Sequence, residues 1–203
     1  MDYTIIPNDD IIQKTAEALA LNGIQPIIVD TSKEAKDKVL SLIPKGAEVF
    51  NAVSATLDTI GIPREISESG DYNSVRNMFS KLDKEKDHKM MQQFGAAPEY
   101  VVGSVHAVTH GGNVLIASNT GSQLPAYAYG SDHVIWVVGV QKIVPNIEEA
   151  MKRIYEYVLP LESEHARKAY GSEGSNVSKL LIINKEVKKD RMTMILVKEH
   201  LGF

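Results

Sequence analysis

Residues 101–144 read VVGSVHAVTHGGNVLIASNTGSQLPAYAYGSDHVIWVVGVQKIV. Two apolar runs stand in this stretch, 114–117 and 133–140, and the second is nearly all β-branched or aromatic, as expected of a strand covered on both faces. The first stops abruptly at Ser118-Asn119-Thr120-Gly121-Ser122, and Gln123-Leu124-Pro125-Ala126-Tyr127-Ala128-Tyr129 then reads as a short helix. Strand, small-residue loop and helix in that order can leave loop N–H groups pointing outward, where an anion or carboxylate accepts them. The stretch is therefore read as both the centre of a sheet and the site.

Upstream the same pattern recurs. A short strand at 47–50 runs into Asn51-Ala52-Val53-Ser54-Ala55-Thr56, with Leu57 and Ile60 following at helical spacing. Two such loops at the ends of parallel strands converge on one crevice, where open α/β sheets bind ligands. The candidate ligand-binding residues are thus Asn51, Ser54 and Thr56 in one loop and Ser118, Asn119, Thr120, Gly121, Ser122 and Gln123 in the other. Lys142, just past the strand at 133–140, is the candidate counter-charge. Turn chemistry alone also favours Asn, Thr, Gly and Ser in such loops.

The rest of the chain fits around this centre. Asn8 or Asp9 caps a helix with Ile12, Ala16, Leu19 and Ala20 on one stripe and Gly23 at its end. A strand at 24–29 leads to Thr31-Ser32-Lys33-Glu34, of capping-box form, and a helix carrying Ala35, Val39, Leu42 and Ile43. Between residues 61 and 94 short helices with a solvated charge run are expected. Asn146 and Glu149 start a helix at 146–158 that should cover one sheet face, and after Pro160 a charged segment runs to Tyr170 and a Gly/Ser loop. Two last strands, 179–183 and 192–197, read as a hairpin-like pair that could be antiparallel, and Lys185, Lys188, Lys189 and Arg191 read as its solvated turn. Alternating strands and helices predict an α/β protein with a mostly parallel sheet and helices on both faces.

With 203 residues and no Ser/Pro/Gly-rich linker, a single domain over 1–203 is expected. A net charge of −4 gives no electrostatic reason to expect nucleic acid. The longest apolar run is too short for a bilayer, and Met1-Asp2-Tyr3-Thr4 lacks a basic leader, so no membrane partner and a cytoplasmic location are expected. Zero cysteines rule out disulfides, a thiolate nucleophile and any cysteine-ligated iron–sulfur cluster, so no cofactor is expected in this chain. No glycine fingerprint for a dinucleotide, no phosphate-loop motif and no G-x-S-x-G elbow is present. His106 and His110 stand four apart but on no shared helix face, so no metal site is expected.

Several segments together resemble the LUD domain of lactate utilization proteins: Val102-Gly103-Ser104-Val105-His106-Ala107-Val108-Thr109, the run from Ala117 to Ala128, the run from Val134 to Val144, Tyr157-Val158-Leu159-Pro160-Leu161-Glu162 and Met194-Ile195-Leu196-Val197-Lys198-Glu199. Val53-Ser54-Ala55-Thr56-Leu57 before Ile60-Gly61-Ile62 is similar to the family's S-x-T-L segment. The resemblance implies a three-layer α/β/α sandwich like that of the sugar-phosphate isomerases and coenzyme A transferases. It also implies a link to lactate oxidation to pyruvate beside subunits bearing iron–sulfur clusters, with this chain as the cluster-free component. One position departs from the family: Thr109-His110-Gly111-Gly112 has a histidine where an acid is expected, so a carboxylate base is not available there.

The leading expectation is a protein that binds a small anionic metabolite at its strand-end loops and serves lactate or related organic-acid utilization. Iron–sulfur subunits are its expected partners, and the sequence leaves a homo-oligomer open. The rivals are a stand-alone isomerase or acyl- or coenzyme A-transferring enzyme, for which Asp58, Glu99 and Asp132 are the nearest acids in sequence, and a ligand-sensing domain.

Overall fold

The computed structural model describes residues 1–203, the side chain of Tyr170 excepted. In chain order the elements are α1 (Asp9–Leu21), β1 (Ile24–Val29), α2 (Ser32–Leu42), β2 (Glu48–Asn51), α3 (Ala55–Ile60), α4 (Ile62–Glu68), β3 (Asn73–Ser74), α5 (Val75–Phe79) and α6 (His88–Ala96). There follow β4 (Tyr100–Gly103), β5 (Ala107–Thr109), β6 (Val114–Ser118), β7 (His133–Gly139), β8 (Ile143–Val144), α7 (Ile147–Lys152), α8 (Leu159–Tyr170), β9 (Lys179–Ile183) and β10 (Met192–Val197). The caps read from the sequence form: the side chains of Asn8, Thr31 and Asn146 accept from the N–H groups of Ile11, Glu34 and Glu149 at 3.0, 3.2 and 2.9 Å.

Six strands make one parallel sheet in the order β1-β10-β7-β4-β2-β3. Both faces of it are covered. Val134, Trp136 and Val138 of β7 with Met192, Met194 and Leu196 of β10 pack toward α1 and α5, while Ile135, Val137, Ile195 and Val197 pack toward α2, α3 and α4. That two-sided burial is why these strands read as continuous apolar runs. The protein is an α/β protein with helices on both faces of a parallel sheet.

A second sheet, ordered β8-β5-β6-β9, departs from the expected single-sheet plan. The strand at 114–118 belongs to it and lies off the centre of the main sheet; it pairs antiparallel with β5 and β9. The last two strands form no hairpin: β9 joins this small sheet, whereas β10 inserts parallel between β1 and β7. The reason is burial. All six residues of β10 are buried, as the two-sided sheet provides, but in β9 only Ile183 is buried, which suits an edge. One face of the small sheet packs on the main sheet through Val108, Val114, Ile116 and Ile183. Its other face, Ala107, Leu115 and Ala117, is covered by Ala150 and Ile154, so the helix at 146–158 lies on the small sheet.

That helix does not stop at Pro160. It passes through a π-helical turn, Arg153–Val158, into α8. Proline cannot donate to the carbonyl one α-turn back, and the wider turn before it absorbs the missing bond without breaking the helix. A second π turn, Ala126–Gly130, replaces the expected α-helix. Arg191 holds it: Nη2 donates to the carbonyls of Ala126 and Tyr127 at 3.0 and 2.9 Å and Nε to that of Ser131 at 2.8 Å. Arg191 is therefore buried, with Glu186 paired to it at 2.6 Å, and is not part of the solvated turn that Lys185, Lys188 and Lys189 do form.

Candidate functional site

β2 and β4 are neighbours in the main sheet, yet the chain leaves them toward opposite faces. After β2 it enters α3, whose Leu57 packs on one face, and after β4 it enters β5, whose Val108 packs on the other. Departure of adjacent strands to opposite sides opens a crevice beyond their carboxyl ends. A cavity of about 250 Å³ occupies this place. Ser54 and Thr56 line one side, Ser118, Asn119, Thr120, Ser122 and Gln123 another, and Lys142 also reaches it. The two loops thus face one space, as their shared form suggested. Asn51 and Gly121 stand outside the wall. Asn51 is buried, with its carbonyl accepting from Arg76 Nε at 2.8 Å.

The second loop is held by its own side chains. Gly121 N–H donates to Ser118 Oγ at 2.8 Å, Ser118 Oγ donates to Gln123 Oε1 at 3.1 Å, and Thr120 Oγ1 donates to Ser122 Oγ at 3.2 Å. Gly121 has φ +84°, and a Cβ there would meet Lys179 Cδ at 2.5 Å, away from the cavity. The Gly121 N–H is thus already engaged, and the polar groups this loop brings to the cavity are side-chain hydroxyls and amides.

Lys142 is the chemical centre. It sits in a single 3-10 turn, Val140–Lys142, that follows β7, and only 2% of it is exposed. Its Nζ donates to Thr56 Oγ1 at 3.0 Å, Ser104 Oγ at 3.2 Å and the Val105 carbonyl at 3.2 Å, tying the loops after β2, β4 and β7 together. Among the described residues no carboxylate pairs with it. Burial, and then the charge of Arg153, bring its pKa down to about 7. The ring of His106 lines the same cavity, and burial followed by Lys142 and Arg153 presses its pKa to about 3. It is therefore neutral, and its Nδ1 accepts from Ala117 N–H at 3.1 Å. Arg153 stands behind it, donating to the His106 carbonyl, with the rings of Tyr3 and Tyr157 5.8 and 5.4 Å from its guanidinium carbon.

Several polar wall residues lie outside the set read from the sequence, Ser104, His106, Arg76 and Glu162 among them. Ser104 and His106 directly follow β4, so the rule that picked the other two loops applied to them as well. Arg76 projects from α5 with its guanidinium 5.3 Å from the Phe50 ring, a placement no local pattern announces. Glu162 lies beyond Pro160, in the segment read only as charged, and among the described residues is the one acidic side chain on the wall. Burial raises its pKa. Asp58, Glu99 and Asp132 are all off the wall, Asp132 being engaged by Lys188 at 2.7 Å. His110 is exposed on a turn whose Gly111 carbonyl accepts from Asn22 Nδ2 of the α1 cap at 2.9 Å, so it too lies outside the cavity.

An α/β protein with a small cationic cavity at the carboxyl ends of its parallel strands is the class that fold and geometry define. A sequence model of the LUD domain family matches residues 12–197, and the chain belongs to that family. Among solved structures it is similar to a DUF162 family protein from Deinococcus radiodurans, with a TM-score of 0.57 and 13% identity over 94% of this chain and 99% of that one. Weaker similarity is found to eIF2B beta from Chaetomium thermophilum (TM-score 0.39, 13% identity, 58% of this chain and 44% of that one) and to ribose 5 phosphate isomerase A from Neisseria gonorrhoeae (TM-score 0.34, 12% identity, 64% of each). No curated protein matches the sequence.

Proposed function

We propose that this protein binds a small carboxylate metabolite, of the 2-hydroxy or 2-oxo acid kind, in the strand-end cavity, and that it serves lactate or related organic-acid utilization in the cytoplasm. The observation that carries the reading is Lys142: a buried amine on the cavity wall whose three partners are all uncharged oxygens. A buried cation without a counter-ion is costly, and an entering carboxylate supplies one. Ser104 Oγ accepts from Nζ and retains its own proton to donate to a ligand oxygen. Arg76 adds a second positive group, and the volume suits a molecule of a few heavy atoms better than a nucleotide. In the same reading cysteine-ligated clusters sit on partner subunits, since this chain has no cysteine to hold one.

Calorimetric titration with lactate, pyruvate and phosphate tests the proposal. Loss of a charged hydrogen bond costs about 1.5–3 kcal/mol, so Lys142→Met should weaken carboxylate binding by roughly 10- to 150-fold while melting cooperatively. Absence of binding by any of the three, or equal affinity in the variant, would overturn it.

A further inference from the structure

We propose that Lys142 captures its ligand covalently, condensing through Nζ with the carbonyl carbon of a small oxo acid to form an imine. The inference rests on the carboxylate-binding reading of the same cavity and adds a chemical step to it. What points there is the amine's setting. An ordinary structural lysine is kept charged by a carboxylate or by water, but Lys142 has neither a paired acid among the described residues nor appreciable exposure. The guanidinium of Arg153, one residue layer behind through His106, disfavours a second positive charge. Desolvation beside another cation is one way an amine becomes a nucleophile.

With its pKa near 7, about half of Nζ is uncharged at neutral pH, on the order of a thousandfold more than for an unperturbed lysine. The neutral amine needs only two acceptors, which Thr56 Oγ1 and the Val105 carbonyl provide, while the Ser104 hydroxyl turns to donate. Rotation of that hydroxyl frees the nitrogen lone pair for attack. The C–N bond forms as the carbonyl π pair moves to oxygen, and the oxygen then leaves as water. Both hydrogens of that water come from the amine, and Ser104, in contact with Nζ, is placed to relay them. Nothing is oxidised or reduced, so no further reactant is required. The ring of His106 stays unprotonated near neutrality and so adds no positive charge against the imine nitrogen.

The test combines trapping with binding. The protein is incubated with pyruvate and cyanoborohydride at neutral pH, and the intact mass and peptide map are read. Lactate serves as the ligand without a carbonyl, and calorimetry is run on both acids. The expected result is a gain equal to the mass of pyruvic acid less one oxygen, mapped to Lys142, half-maximal in rate near pH 7 and absent with lactate. Lys142→Arg, checked for cooperative melting, should lose this label completely. Pyruvate that binds in calorimetry without labelling Lys142 overturns the imine and leaves carboxylate binding standing. Label confined to surface lysines, rising only at higher pH, does the same. If neither acid binds, the reading of the cavity fails and the imine with it.

Discussion

Replacing Lys142 with methionine should remove a pH dependence of stability that the wild-type protein carries. In the folded chain the amine has a pKa of about 7, against 10.5 for the unfolded chain. Below pH 7 both states hold the proton, and the cost of burying the charge is fully present. Between pH 7 and 10.5 the unfolded state holds one more proton than the folded state, so unfolding becomes harder as pH rises. The slope is about 1.4 kcal/mol per pH unit, or ~4 kcal/mol from pH 7 to 10. Methionine has a similar length and no proton to lose, so its stability should stay flat over this range, apart from a constant offset of about 1 kcal/mol for each oxygen left without its donor. Tyr3, raised to about 12 chiefly by burial, and Tyr127, also raised by burial, act in the opposite sense above pH 10 and are common to both proteins. Urea unfolding at pH 7, 8, 9 and 10 measures the difference directly. Parallel stability curves for the two proteins would show that the amine is solvated and ordinary, and the argument from its burial would fall.

Other consequences are local. A Cβ on Gly103 would lie 1.7 Å from Tyr127 Oη, so Gly103→Ala should displace that ring and cost about 1–3 kcal/mol, read from the melting curve. Arg191→Met removes the guanidinium donor from the carbonyls of Ala126, Tyr127 and Ser131 and leaves the half-buried Glu186 carboxylate without its cation; about 3–5 kcal/mol of stability should be lost in chemical denaturation. Glu162→Gln removes an acidic side chain from the cavity wall and should tighten carboxylate binding by roughly 1 kcal/mol, about fivefold, in calorimetry. Carboxylate affinity should also fall as pH rises above 7, because the ligand prefers the charged amine; titrations in buffers of different ionisation heat should show proton uptake on binding.

Much of the fold was legible because caps and periodicity are local. The helices opened by Asn8 and Thr31 and the strands at 24–29 and 192–197 stand where those signals placed them. Which sheet a strand joins is not a local property. Residues 114–118 and 134–139 are alike in being buried throughout, yet the first owes its cover to the main sheet and Ile154, and the second to helices and the small sheet. Pro160 has the usual mark of a helix end, and only the π turn ahead of it, stabilised by tertiary packing of Ile154 and Val158, lets the helix run on. The two loops that line the cavity could be picked out by their form, since small polar residues at a strand end favour turning and can also face a ligand. The burial of Lys142 was harder to see, though its neighbours Val140, Ile143 and Val144 are all apolar and all buried. Arg76 and Glu162 reach the cavity only through packing between distant segments, which no single stretch encodes.

The most direct test of the central claim is diffraction from crystals grown with lactate. The ligand carboxylate is expected within hydrogen-bond reach of Lys142 Nζ, with Ser104 and the Ser118–Gln123 loop around it. Lactate held elsewhere on the protein, with the cavity beside Lys142 filled only by water, would contradict it.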